Sequence, residues 1–227
     1  MQHPGEITER RTSADVVFDF LYEEISSLGL MPGTKISEAE MAAKFGVSRQ
    51  PVRDAFSKLD NMNLLLIRPQ KATVVKKFSL TSIASARFVR LSVELEIARK
   101  AFALWDGTHA DTFAKSLVEQ KKALDARDID AFHKLDYDFH KLMCKAAGSE
   151  FAFEIISEHK TQVDRLCVLS LTAVDGMAQL IEDHNRIVKL LSEDDENALC
   201  EALRLHLSRL DATVENIYRD HASFFSD

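Results

Sequence analysis

Apolar residues recur at three- and four-residue intervals along almost the whole chain, which predicts a mainly α protein. Val16, Val17, Phe20, Leu21, Ile25 and Leu28 form the first stripe, with Ser13 placed to cap it and Gly29 to end it. Pro32-Gly33 separates this helix from two shorter ones. Ala39, Met41, Ala42 and Phe45 give the next a small, half-buried face, and Ser37 and Glu40 have capping-box spacing. Gly46 follows as a left-handed C-cap, and Val47 can pack in the corner. Ser48 caps the third helix, whose Val52, Ala55, Phe56 and Leu59 face one way while Ser48, Arg49, Gln50 and Arg53 face outward near its start. That is the layout of a helix-turn-helix, in which residues early in the second helix reach base edges in the major groove.

Two short, partly β-branched runs interrupt the helical pattern. Leu64–Ile67 and Thr73–Val75 flank Arg68-Pro69-Gln70-Lys71-Ala72, a hairpin with a basic tip that reads as a wing after the recognition helix. From residue 79 the periodicity is helical throughout, with helices predicted near 80–105, 109–126, 128–147, 150–171, 175–192 and 195–222. Short joins between them, three marked by Gly107, Gly148 and Gly176, predict a helical bundle. The expected organisation is a winged helix-turn-helix domain over 1–78 and an all-helical domain over 79–227.

Charge sharpens this division. A helix, a glycine turn and a basic helix also occur in ordinary helical proteins, but Lys44 to Lys77 carries eight basic and two acidic residues, net +6, in a chain of net charge −7. Basic residues gathered in this way form an electrostatic footprint for phosphates, and Arg68 and Lys71 extend it onto the wing. From Ser79 onward the count is 18 basic against 26 acidic, so the bundle is not expected to touch DNA. With 46% hydrophobic and 29% charged residues, no apolar run of membrane-spanning length and a polar start over Met1–Arg11, the sequence reads as a cytoplasmic protein with no membrane partner. Cys144, Cys167 and Cys200, odd in number and set in apolar helical patterns, read as reduced core thiols.

Candidate chemistry lies where polar residues occupy apolar faces. Asp136 and His140, at i and i+4, share a helix face with Phe132, Leu135, Phe139 and Met143. His184 sits within the stripe of Leu180, Ile181, Ile187, Val188 and Leu191, and His206 among Leu199, Leu203, Leu210 and Val214. A polar group on a core face costs about 1–3 kcal/mol unless it is satisfied. One such histidine reads as a core residue bonded to a carbonyl or water; three with a carboxylate read as a divalent metal site, zinc first, nickel or manganese next. Arg90, on the stripe of Ile83, Ala86, Arg87, Val93, Ile97 and Ala101, either grips a small carboxylate effector or forms a buried ion pair with Glu94 or Asp136. His3, His109, His133, His159 and His221 fall on arms, ends or polar faces and are given no role.

Pro32-Gly33, Ser37-Glu38, Gly46-Val47-Ser48-Arg49, Pro51-Val52-Arg53, Leu59 and Arg68-Pro69 together resemble the winged helix-turn-helix of GntR-type bacterial transcription regulators. The chain departs from that pattern at Asn63 and Ala72, where the family usually has glycine. Farther on, the Arg90–Glu94 spacing, Asp136 and His140 followed by Gly148, then His184 and His206, resemble the FCD domain of the FadR subfamily in its metal-containing branch. The resemblance implies a ligand-responsive regulator that binds a palindromic DNA operator as a homodimer. In that branch these four positions hold the metal, and an arginine on the first helix of the bundle binds a hydroxy acid, sugar acid or dicarboxylate. Two other readings remain open at this point: a metal-dependent hydrolase or lyase using the same residues, and a regulator whose metal is purely structural.

Overall fold

The first helix is capped one residue earlier than Ser13, at Thr12. In a computed structural model, which describes residues 11–170 and 174–226, the Thr12 hydroxyl accepts the Asp15 amide and the Asp15 carboxylate accepts the Thr12 amide, a reciprocal capping box. Side chains at 160–164, 167–170, 174–175 and 210–213 lie outside the described set, and the expectation for Cys167 lies there with them. Helix α1 (Ser13–Ser26) buries Val17, Leu21 and Ile25. The left-handed residue that ends it is Leu28, φ 64°, rather than Gly29. Burial of the Leu28 side chain offsets that backbone strain, and Gly29 leaves room for Glu24, whose Oε2 would lie 2.6 Å from an added Cβ.

Strand β1 (Lys35–Ile36) was not expected, since two residues are too few to show a period. Helix α2 (Glu38–Phe45) is capped by Ser37, which takes the Ala39 amide rather than that of Glu40, and ends at Gly46, φ 65°. Helix α3 (Arg49–Asn61) buries Val52, Ala55, Phe56 and Leu59, and Ser48 holds its N-cap position without a side-chain cap bond. Asn63, at φ 59°, turns the chain into β2 (Leu65–Leu66), which pairs antiparallel with β3 (Thr73–Val75). At the wing tip the left-handed residue is Gln70, φ 58°, so Ala72 escapes the strain that its side chain would bring. Strand β3 is central, in the order β1-β3-β2, with Lys35 opposite Val74 and Leu65 opposite Val75. The core of this unit joins Val17, Leu21 and Ile25 to Val52, Phe56, Leu59, Leu64, Leu65 and Val75.

The chain divides into compact units at Lys77/Phe78. Phe78 belongs with the bundle because its amide donates to the Phe224 carbonyl and its carbonyl accepts the Ser226 amide, both at 2.9 Å. The bundle comprises α4 (Leu80–Ala103), α5 (Ala110–Ala126), α6 (Ile129–Ala146), α7 (Ala152–Ser170), α8 (Val174–Leu190) and α9 (Glu196–Asp220), followed by a 3-10 turn at Ala222–Phe224. Helix α4 packs on α7 and α9, α5 on α6 and α8, and α8 on α9. Its main core gathers Leu95, Ala98, Ala101, Phe113, Phe139, Met143, Cys144, Ile187, Leu191, Leu199 and Leu203. Among the described residues no helix is long and apolar enough to cross a membrane.

Candidate metal centre and DNA-binding surface

The polar residues that interrupt the bundle's apolar stripes meet at one place. Asp136, His140, His184 and His206, from α6, α8 and α9, each offer one ligand atom, and these atoms lie within 4.8 Å of one another. All four residues are buried. His140 Nε2 and His206 Nε2 are 3.3 Å apart, and Asp136 Oδ1 lies 3.5 Å from His184 Nε2 and 3.8 Å from His140 Nε2. Two nitrogens bound to one tetrahedral zinc at about 2.0–2.1 Å lie roughly 3.3 Å apart. The separations fit that spacing or exceed it slightly.

The outer faces of the imidazoles explain why the inner ones converge. His140 Nδ1 donates to Glu94 Oε2 at 2.6 Å, and His184 Nδ1 to Gln120 Oε1 at 2.8 Å. Gln120 spends its own amide hydrogens on Ser116, so its oxygen is the end that faces His184. Nδ1 of each ring therefore faces an outer acceptor, which leaves Nε2 as the nitrogen that turns inward. A stacking contact on Phe139, 3.8 Å between centroids, fixes the plane of His184. His206 Nδ1 lies 3.7 Å from Asp183 Oδ2, beyond hydrogen-bond reach, while Arg209 grips the same carboxylate at 3.0 and 3.1 Å. Metal-binding histidines characteristically have an acceptor behind the ring. His184 Nε2 and His206 Nδ1 are buried with no hydrogen-bond partner. A divalent ion held by Asp136 and the three histidines would satisfy the inward His184 nitrogen.

The electrostatics agree. Burial resists ionisation of Glu94, but His140 and Arg90 outweigh it and hold its carboxyl well below the usual range. Burial likewise opposes Asp183, yet His206 and Arg209 lower it to about 2. Burial pushes His184 well below its ordinary value, with His206 adding to it, and burial also lowers His206. Neutral imidazoles at His184 and His206 are the donor state that a divalent cation requires.

Arg90 is engaged on the outer side of this cluster. Its Nε and a terminal nitrogen reach Glu94 Oε1 at 2.9 and 2.8 Å, the ion pair that was one of the two sequence readings. Sequence reasoning did not assign Glu94, Gln120 or Asp183 a place at the centre. The signal the sequence offered for Gln120 was a polar residue on the α5 face that holds Phe113 and Ala123.

In the other unit, Ser48, Arg49, Gln50, Arg53, Arg68 and Lys71 are all exposed. Ser48, Arg49, Gln50 and Arg53 lie at the N-terminal end of α3, whose first amides have no side-chain cap, an arrangement suited to a phosphate. Gln50 donates to Asp54 at 2.8 Å, and Arg53 pairs with Glu38 at 3.2 Å. The Arg68 carbonyl accepts the Lys71 amide at 3.2 Å, closing the wing turn.

Residues 13–75 match the bacterial regulatory proteins of the gntR family, and residues 86–209 match the FCD domain. The chain belongs to the GntR family. It is a transcriptional regulator, mainly α, with a DNA-binding winged helix-turn-helix and a C-terminal FCD bundle. Among similar proteins, the HTH-type transcriptional repressor RspR of Escherichia coli K12 is 31% identical over 211 residues, covering 93% of this chain and 92% of that protein. A probable D-xylose utilization operon repressor of Paenarthrobacter nicotinovorans is 28% identical over 88% of this chain and 87% of its own length. The structure of E. coli McbR/YncC superposes with a TM-score of 0.74 over 92% of this chain and 100% of that one, at 18% identity, and so shares the fold.

Proposed function

We propose that this GntR regulator is a metal-dependent, ligand-responsive repressor that binds a palindromic operator as a homodimer. Asp136, His140, His184 and His206 would hold the ion, zinc by preference and nickel or manganese otherwise, and its remaining positions would accept a small carboxylate such as a hydroxy acid, sugar acid or dicarboxylate. The observation that carries this reading is the inward convergence of the imidazole Nε2 atoms on the Asp136 carboxylate, with acceptors set behind the rings. When bound, the ion supplies a Lewis-acidic anchor for the acid; the chain's own residues orient the rings and exclude water. A carboxylate that reached Arg90 would have to replace Glu94 there. Repressor names among the relatives support the direction, and the paired half-sites of helix-turn-helix dimers support the homodimer.

Arg49 and Arg53 would read the operator, with Ser48, Gln50, Arg68 and Lys71 adding base or phosphate contacts. The test is metal analysis of the purified protein alongside operator binding in the presence of candidate acids. His184→Ala is expected to lower metal content and abolish the response to acid while leaving basal operator binding intact. Wild-type protein that carries no divalent ion, and is not stabilised by added zinc, nickel or manganese, would reduce the cluster to a hydrogen-bonded core.

A further inference from the structure

The chain enters the bundle at a residue whose amide and carbonyl are both held. Lys77 alone lies between Lys76, whose amide donates to the Leu64 carbonyl in the winged unit, and Phe78, the first residue of the bundle. The Phe78 amide donates to the Phe224 carbonyl at 2.9 Å, and the Phe78 carbonyl accepts the Ser226 amide at 2.9 Å and the Ser226 hydroxyl at 3.1 Å. Phe78 and Phe225 form a parallel bridge between segments far apart in sequence.

Side chains reinforce that bridge. Phe78 is 4% exposed and Phe225 5%, with ring centroids 5.4 Å apart, and Tyr218, in the last turn of α9, meets Phe225 edge-on at 5.0 Å. From α7, the buried Arg165 guanidinium lies 4.9 Å from the centroid of the Phe78 ring. A cation over an aromatic face recovers part of the solvation that burial removes. Boundaries between compact units usually fall in exposed stretches that few contacts cross. Here the boundary residue is buried and bonded, which keeps the chain from pivoting at Phe78.

The segment that grips Phe78 continues directly from α9, an unbroken helix from Glu196 to Asp220 that also carries His206. At 1.5 Å per residue, roughly 18 Å of helix separates His206 from Tyr218. A helix of that length transmits a shift as a rigid element.

We infer that Ala222–Ser226 is a clasp that fixes the junction at Phe78 and carries the state of the metal cluster to it along α9. The clasp stands on the contacts around Phe78, whereas its coupling rests on the metal reading of the cluster. An ion bound by His206 sets the position of α9, steadies Tyr218 and Phe225, and so holds Phe78 closed.

The experiment is limited trypsin digestion of the full-length protein, with the cut after Lys77 followed by mass spectrometry. Trypsin needs the backbone beside the scissile bond extended and unbonded, so this cut reports opening of the clasp. Ser226→Pro removes the amide that Phe78 accepts and should speed the cut by about three- to tenfold, the loss of a net hydrogen bond. Ser226→Ala keeps that amide and should stay within about twofold of wild type. Circular dichroism checks that helical content is unchanged in each variant. Equal rates in wild type and Ser226→Pro overturn the clasp. Zinc alone is the second probe. It should raise Tm and slow the cut in wild type, whereas the double variant Phe225→Asp/Ser226→Pro keeps the rise in Tm and loses the slowing. Zinc that raises Tm without slowing the wild-type cut, or slows it equally in the double variant, overturns the coupling. Zinc that leaves the wild-type Tm unchanged refutes the metal reading and the coupling with it, and the clasp then stands or falls on the Ser226→Pro rate.

Discussion

Glu94→Gln isolates the support behind the metal centre from the centre itself. Glu94 is 3% exposed and accepts from His140 Nδ1 and from Arg90, so both of its oxygens are committed to donors. A glutamine of the same shape has one oxygen and one NH2 group. If the oxygen stays with Arg90, the NH2 group faces His140 and favors a lone pair on Nδ1, which moves the ring proton to Nε2, where the metal would bind. Loss of such an outer-shell partner typically costs about 10- to 100-fold in metal affinity, or roughly 1.4–2.7 kcal/mol. The consequence for stability follows by linkage. At a zinc concentration near 100 times the wild-type Kd, bound metal stabilises the wild type by about 2.7 kcal/mol; with a 10- to 100-fold weaker site the same zinc gives roughly 0.4–1.4 kcal/mol. For a domain of this size 1 kcal/mol moves Tm by about 2–4 °C, so the zinc-induced shift should fall from roughly 5–11 °C to about 1–6 °C. Zinc titration of the stripped protein, followed by thermal denaturation with and without metal, measures both quantities. Metal affinity within about twofold of wild type, in a variant whose helical content is unchanged, would refute the claim that Glu94 sets the His140 tautomer.

Four further outcomes are expected. Arg49→Ala should weaken operator binding by about 1–3 kcal/mol and relax specificity at one base pair, measured by competition with single-base operator variants. Glu38→Gln removes the surface partner of Arg53 and should tighten operator binding modestly and steepen its salt dependence; an unchanged salt slope would count against Arg53 as a DNA contact. In the metal-free protein His184 and His206 have folded-state pKa values below the ordinary 6.5, so their contribution is fully present above about 6.5 and is lost as pH falls below it, because the unfolded chain then binds more protons. Urea denaturation at about pH 5.5 should show up to roughly 1.4 kcal/mol lost per histidine relative to pH 7.5. Burial, with Glu94 nearby, pushes the Cys144 thiol up to about 12, so peptide mapping after alkylation at pH 8 should find Cys144 unmodified in the folded protein and modified in urea.

Periodicity alone fixed much of this protein. The stripes of α1 and α3 are long enough to show their 3.6-residue period, and they mark most of the buried faces: Val17, Leu21 and Ile25 on α1, where Val16 of the same stripe is exposed, and Val52, Ala55, Phe56 and Leu59 on α3. Asp136, His140, His184 and His206 were legible for the complementary reason: a polar group on an apolar stripe is conspicuous because burying it is costly. What the sequence could not determine was anything set by groups distant along the chain. Strand β1 exists only because β3 offers it hydrogen bonds some forty residues away, and the left-handed positions fell on Leu28 and Gln70, where packing and turn closure required them, and not on Gly29 or Ala72. The outer partners of the histidines belong to the same class. Glu94, Gln120 and Asp183 come from three helices, and the Gln120–His184 bond spans 64 residues. Sequence spacing determines which residues share a helix face. Only the packing of those faces against one another determines which nitrogen each histidine turns inward.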